Sequence, residues 1–495
     1  MQDPTKAIHE EIEAFLERID ARLSGWRSVR GSEKFQEMEQ EVHAACRSLA
    51  DELTEKLLQS ILADGEFQAK TARALRDSGC NYKDVGRRKV SVTLLGGKKT
   101  RVHVEYFRED LSGRPGPKRK HGRRGKSGTG LYPALAALGI WFGTTPALAS
   151  EVARQVTDSE SVRTAREALR RRGIDLGHEK TLKLVNKVSH RAVAQRNDWL
   201  EQMRDNPAKE GPLSGKRVVI ATDGGRLRER RSTKGGRKRA KTGHKGFQAP
   251  WREPKLFVIY VINDEGELTD TFRPIYDGTL GDCDAVFAML VGYLRGLGAH
   301  EAKELIAVGD GAKWIWGRIA DLASQVNIEH TKVTEVIDWY HAMETLHTIV
   351  GYPAKWSQEQ RKKWVRKAEK LLYAGNIDEL VTFIKTLAVG RRSKSVRKHL
   401  KYFSGNKARM QYKSFEEAGI PRGSGAIESA IRRVVNQRLK GNAKFWKEDN
   451  AEGMLLLRSY LKAGRFDDLM RWSLLQAAPW WEHGSPRLHS PVETP

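Results

Sequence analysis

A chain of 495 residues is long enough for roughly two to four domains, and with 39% hydrophobic and 30% charged residues it can bury sizeable cores and is not disordered in character. No stretch approaches the roughly 18 to 20 apolar residues of a membrane span, no apolar signal segment opens it, and three scattered cysteines (Cys46, Cys80, Cys283) exclude a disulfide framework or a cysteine-built zinc finger, so a cytoplasmic, reducing setting is expected. Lysine and arginine number 88 against 62 acidic residues, a net +26, and the usual partner of such an excess is a polyphosphate.

Residues 1–80 are expected to be helical and suited to oligomerisation. Ile8, Ile12, Phe15, Leu16, Ile19 and Leu23 recur at helical spacing, as do Val42, Cys46, Leu49, Leu53, Leu57 and Ile61. Residues 81–112 carry a hairpin signal: Val90, Val92 and Leu94 alternate with polar residues, Gly96-Gly97 supply the turn, and Val102, Val104 and Tyr106 alternate on the return. Residues 113–130 are Gly-rich and basic, either a solvated tether or an arm that tracks DNA. Across 131–210 the pattern is helical again. A short helix, the turn GIDLGHE and a helix from Lys180 to His190 fit a helix-turn-helix unit with Lys183 and Lys187 toward DNA, or a plain pair of helices.

The second half changes character. Residues 211–339 begin with the buried strand Arg217–Thr222, followed by a basic loop and two more strands, Lys255–Ile262 and Leu268–Tyr276. A helix (Asp284–Leu297), a strand (Leu305–Val308), a helix (Ala312–Ala323) and a strand (Val333–Ile337) complete the series. Three consecutive strands followed by α-β-α-β is the order of a ribonuclease-H-like mixed sheet, giving an α/β catalytic core behind a mostly helical N-terminal region. Residues 340–417 read as a helical insertion, 418–475 as the C-terminal helices of the core, with an N-capped helix near Gly425, and 476–495 as a tail.

Phosphodiester chemistry with two metal ions needs a few carboxylates, aimed by rigid elements, that hold ions about 4 Å apart. Asp223 follows the apolar run VVIAT and precedes Gly224-Gly225, which would let a nucleic-acid backbone approach; Asp310 follows LIAVG and precedes Gly311. Glu428 lies on the helix near Gly425, whose N-terminal end would face bound phosphate. Each alone is an ordinary acidic residue, and a strand-end Asp before Gly is more often a turn former. Basic residues surround them: Arg226, Arg228, Lys238 and Arg239 in the loop after Asp223, and Arg432, Arg433, Arg438 and Lys440 after Glu428, faces suited to phosphates.

The strings TDGG, APWREPKLFVIYV, AVGDGAKWIW, VIDWYHAMETL, PRGSGAIESAIRRVVNQRLKGNAKFW and LLLRSYLKAGRFD, in that order, resemble the DDE transposases of bacterial insertion sequences, in the Kra-type branch that is similar in outline to Mutator-like transposases. The match covers roughly residues 85 to 470, with its specific motifs in the second half. The resemblance implies a ribonuclease-H-like catalytic domain interrupted by a helical insertion before the glutamate, a triad at Asp223, Asp310 and Glu428, and two Mg2+ or Mn2+ ions. It implies metal-dependent cleavage and strand transfer, with the element's terminal inverted repeats and target DNA as partners, a homodimer or higher assembly, no membrane, and a nucleoid-associated bacterial setting. Asp338 and His341 look like the pair found after the second aspartate in related enzymes. They would position the scissile phosphate or a leaving-group proton, or serve as a helix cap and an ordinary histidine. Relatives commonly carry a cysteine-rich ribbon where this chain has its basic linker, so end recognition would rest on charge and on the helical unit. The rival readings are a DNA-binding protein without catalysis and a nuclease of the same core without strand transfer.

Overall fold

The computed structural model describes residues 4–25, 29–78, 81–110, 130–232, 246–390 and 393–475. Most of the basic linker, the loop bearing Lys238 and Arg239, and the tail from 476 lie outside the described residues. The chain is a mixed α/β protein in two compact units, one reaching from the N-terminal helices to Val188 with a return from Met470, the other comprising Ser189–Leu469. Among the described residues no helix is long and apolar enough to cross a membrane.

The first unit opens with α1 (Pro4–Leu23), α2 (Ser32–Ala63) and α3 (Gly65–Asp77), the last capped by the Asp64 carboxylate, which accepts the Glu66 and Phe67 amides. The expected hairpin forms from β1 (Tyr82–Thr93) and β2 (Lys99–Glu109), antiparallel, with Val90 opposite Val102. Its alternation buries Val92, Leu94, Val102 and Val104 against Leu58, Leu62, Leu135 and Ile140. Gly97 adopts φ +100, and a Cβ there would fall 2.4 Å from the Gly173 carbonyl oxygen, so only glycine serves. The buried Asp51 carboxylate holds this turn through the Gly96 and Lys98 amides, each 2.9 Å away. After β3 (Gly130–Leu131) come α4 (Pro133–Ala137), α5 (Pro146–Asp158), α6 (Val162–Arg171) and α7 (His178–Asp205). The helix expected to stop at His190 runs on to Asp205, because RAVAQRNDWLEQMRD contains neither Gly nor Pro to end it. The connection before it is packed rather than open: Ile174 and Leu176 are buried, and α6 lies against α5.

The second unit is built on one five-stranded sheet. Its first strand is β4 (Arg217–Gly224), after which β5 (Leu227–Arg228), β6 (Arg231–Ser232), β7 (Phe247–Gln248) and β8 (Trp251–Arg252) make short ribbons, β5 pairing with β8 and β6 with β7. Then follow β9 (Lys255–Ile262), β10 (Ile275–Thr279), α8 (Cys283–Gly296), β11 (Glu304–Gly309), α9 (Lys313–Trp316), α10 (Ile319–Val326) and β12 (Val333–Ile337). The order is β10-β9-β4-β11-β12, with β10, β9 and β4 antiparallel and β4, β11 and β12 parallel. Two expectations are corrected. The third strand begins at Ile275 rather than Leu268, which makes only a lone bridge to Ile262, since Pro274 cannot donate to the ladder. The helix expected over Ala312–Ala323 breaks at Gly317 into α9 and α10.

Beyond β12 lie α11 (Trp339–Gly351), α12 (Gln358–Tyr373), α13 (Ile377–Lys385), α14 (Ser393–Gly405) and α15 (Tyr412–Glu417). They share a core of Trp364, Leu372, Leu380, Ile384, Val396 and Phe403. The chain then returns to the sheet: the Tyr412 hydroxyl donates to the Ile337 carbonyl at 3.0 Å and the Trp339 amide to the Arg422 carbonyl at 2.8 Å. Next come α16 (Gly425–Ala430), a wider π-type turn over Ile431–Asn436, α17 (Glu448–Lys462), which packs on β10, and α18 (Phe466–Met470). A buried ion pair ties these layers: Arg196 of α7 donates to Asp277 of β10 and Glu452 of α17, each at 3.0 Å.

Candidate functional site

Because β4, β11 and β12 run parallel, their carboxyl ends lie side by side, the edge at which open α/β sheets bind ligands. The register sets Val308 against Ala221 and Gly309 against Ile337. Continued by one or two places it puts Asp310 between Asp223 on one side and Asp338 on the other. Three parallel strands thus deliver three aspartates to one edge, Asp223 and Asp310 where buried apolar runs give way to solvent and Asp338 still buried.

Glu428 reaches this edge on α16, which packs against β4 and β9. Asp338 makes the link. One of its oxygens accepts the Tyr340 amide at 2.6 Å and the His341 amide at 3.1 Å, capping α11, while the other accepts both the amide and the hydroxyl of Ser424. The strand end, the first turn of the insertion and the loop before Glu428 are therefore fastened at one fully buried carboxylate. The helix of Glu428 was expected to be N-capped, but the Ser424 side chain at its N-cap position makes no cap bond, its hydroxyl being directed to Asp338 and, at 3.4 Å, to Glu428 Oε1. His341 stands between acids, Nε2 3.9 Å from Glu428 Oε1 and Nδ1 3.5 Å from Glu344 Oε2.

The remaining two aspartates are held more lightly. Asp223 Oδ1 accepts the Gly224 amide at 2.6 Å, and Asp310 Oδ1 accepts the Ala312 amide at 2.8 Å. Burial is the largest influence on Asp223 and pushes its carboxyl up to about 6; the negative charges of Asp310 and Glu428 push the same way, against the Gly224 N–H and His341. Asp310, Glu428 and His341 are thus all within electrostatic reach of Asp223. Like charges gathered at a partly buried edge favour either a proton or a bound cation.

Which acids could hold an ion follows from their free lone pairs. Among the described residues the tightest group is Asp338, His341 and Glu428, with one ligand atom from each within 4.8 Å of the others. Asp338 already receives four hydrogen bonds in that group and has little left to offer an ion. Asp223, Asp310 and Glu428 form a wider group with open oxygens, and a wider spacing is what two ions about 4 Å apart require. Carboxylate donors suit the hard ions Mg2+ and Mn2+.

The glycines at the site answer to protein packing. A Cβ on Gly224 would fall 2.2 Å from Glu253 Oε1, one on Gly225 3.0 Å from Val435, and one on Gly311 2.2 Å from the Tyr402 ring. The space expected for a nucleic-acid backbone beside Gly225 is filled by Val435.

The expected phosphate-contacting residues divide. Arg226, Arg432 and Lys440 are exposed. Arg228 is exposed too, with its guanidinium 4.8 Å from the centre of the Trp251 ring. Arg433 instead donates to the Tyr276 hydroxyl at 2.8 Å, and Arg438 is buried beside Trp446, where desolvation pulls its guanidinium down to about 10. Arg433 lies within the π-type turn over Ile431–Asn436 and Arg438 two residues beyond it, where the chain departs from a regular helical face. In the first unit, Lys183 pairs with Glu179 at 3.3 Å along its own helix and Lys187 covers the Phe142 ring at 4.1 Å. Lys238 and Arg239 lie outside the described residues. Two residues at the site are not singled out by the sequence, Ser424 and Tyr402. Ser424 has a signal in its place just before the glutamate helix, whereas Tyr402 sits mid-insertion with no motif around it.

Compared with known proteins, the chain matches no family model, no curated protein and no solved structure.

Proposed function

We propose that the chain is a metal-dependent DNA nuclease and strand transferase with a ribonuclease-H-like core. More particularly, it is a DDE transposase that acts on the terminal inverted repeats of a bacterial insertion sequence and on target DNA. One juxtaposition carries the proposal: Asp223 and Asp310 end neighbouring parallel strands, and a glutamate from far along the chain, Glu428, joins them through a helix packed on the Asp223 strand. Asp223, Asp310 and Glu428 would hold the ions. Divalent ions bound there would activate a water or a 3′-hydroxyl and stabilise the leaving oxygen. Asp338 keeps Glu428 in place through Ser424 and so is a positioning residue, while His341 is near enough to Glu428 to orient it or to take a proton. The net charge of +26 and the exposed Arg226, Arg432 and Lys440 support a phosphate backbone as the partner. The ribbons after β4 add exposed aromatic rings under guanidinium groups, Trp251 under Arg228 and Phe247 under Arg230, a combination suited to bases beside phosphates.

The test is metal-dependent nicking of a plasmid carrying inverted-repeat ends. Asp223→Asn is expected to abolish cutting while DNA binding persists; a variant that still cuts overturns the assignment. Joined products separate a transposase from a nuclease that only hydrolyses.

A further inference from the structure

Tyr402 belongs to α14 of the helical insertion, yet its ring lies on the turn that follows Asp310, so close that a Cβ on Gly311 would fall 2.2 Å from Tyr402 Cε2. The ring is wedged against Phe403, centroids 5.1 Å apart, and the next turn of the helix is fastened by the Asn406 side chain to the Tyr402 carbonyl at 2.8 Å. The hydroxyl at the end of this fixed ring is buried and finds no hydrogen-bond partner among the described residues. A buried O–H left unpaired is destabilising, so a purely structural role is better served by phenylalanine. Asp310 and Asp338 are the carboxylates whose charges act on this hydroxyl. Asp338 has both oxygens filled by four donors. Asp310 accepts one bond at Oδ1, from the Ala312 amide, and its other oxygen is open.

We propose that Tyr402 is a positioning residue for Asp310: its hydroxyl, unpaired in the metal-free chain, donates on ion binding to the Asp310 oxygen that the Ala312 amide leaves free, and so fixes the rotation of the carboxylate that faces the ion. The inference rests on Asp310 being a metal ligand. Ligating carboxylates are themselves commonly hydrogen-bonded, and loss of such a partner weakens metal affinity about 10- to 100-fold. The insertion thereby acquires a part in the site beyond bridging β12 to Glu428: it supplies the donor that orients the central aspartate.

The experiment uses the full chain without DNA, with Mn2+ binding followed by electron paramagnetic resonance and thermal melting recorded in chelator. Tyr402→Phe is expected to weaken Mn2+ binding about tenfold or more, while the metal-free melting temperature stays level or rises. Unchanged Mn2+ binding in Tyr402→Phe, with Asp310→Asn losing it, overturns the inference and leaves the metal site standing. A fall in the metal-free melting temperature of Tyr402→Phe also overturns it, since the hydroxyl then has a structural partner. Mn2+ binding that survives Asp310→Asn overturns the metal reading and this inference together.

Discussion

At the residue scale, Asp223 and Asp338 stand at the ends of the strands that flank β11 on either side and have opposite chemistry. Asp338 spends its charge on four protein donors, whereas Asp223 accepts one amide and sits among like charges. Replacing Asp338 by Ala removes the α11 cap and the tether to Ser424 together, an expected loss on the order of 3 kcal/mol, to be read by urea unfolding. Asp223 gives a pH signature of the opposite kind. Its folded pKa, near 6, lies above the ordinary carboxylate value, so between about 4 and 6 the folded chain holds a proton the unfolded chain has released. Stability of the metal-free protein therefore falls across that window as pH rises. Melting curves of wild type and Asp223→Asn in chelator should converge at low pH and separate above about 6, with the wild type lower. Curves that stay parallel across the window would count against the raised pKa.

At the element scale, what holds the sheet to its covering helices is a buried charge cluster rather than apolar contact alone. Arg196 and Asp277 are almost wholly buried, and Asp277 accepts from Arg196 and from the Tyr293 hydroxyl at 2.7 Å. Arg196→Met would leave Asp277 charged without its partner, an expected cost of about 3–5 kcal/mol in chemical unfolding. The double change Arg196→Met with Asp277→Leu should recover most of it; no recovery would mean that packing, not charge, sets the loss. Sequence periodicity identified most of these elements because the strands are continuous apolar runs and α8 and α17 are long. It misjudged those decided by local chemistry: a strand start set by Pro274, a helix divided at Gly317, and a helix carried past His190 for want of a breaker. The π-type turn after Ala430 was illegible, since i→i+5 bonding leaves no periodicity in six residues, and so were the bond of Arg433 to Tyr276 and the burial of Arg438.

At the scale of the whole molecule, the proposed DNA partner together with a charge of +26 predicts an affinity steeply dependent on salt. Among the surface cations named here, removing Arg226, Arg432 or Lys440 should each lower the slope of log affinity against log salt by about one, while Arg433→Ala should leave it nearly unchanged. Filter binding over a salt series distinguishes the two sets, and an equal effect from Arg433 would place that side chain on DNA after all. The sequence by itself determined the charge, the mixed α/β character, the hairpin of the first unit and the candidacy of Asp223 and Asp310, because each depends on neighbours a few residues away. Glu428 was named from its motif, but its arrival at the sheet edge is a product of the insertion folding back through Trp339, Arg422 and Ser424. Only the tertiary structure decided that Asp338 is consumed as a fastening and that Tyr402 lies against the Asp310 turn. Both outcomes depend on which distant groups meet, and hydrogen-bond partners separated by 86 residues, as in Asp338 and Ser424, leave no pattern in the chain between them.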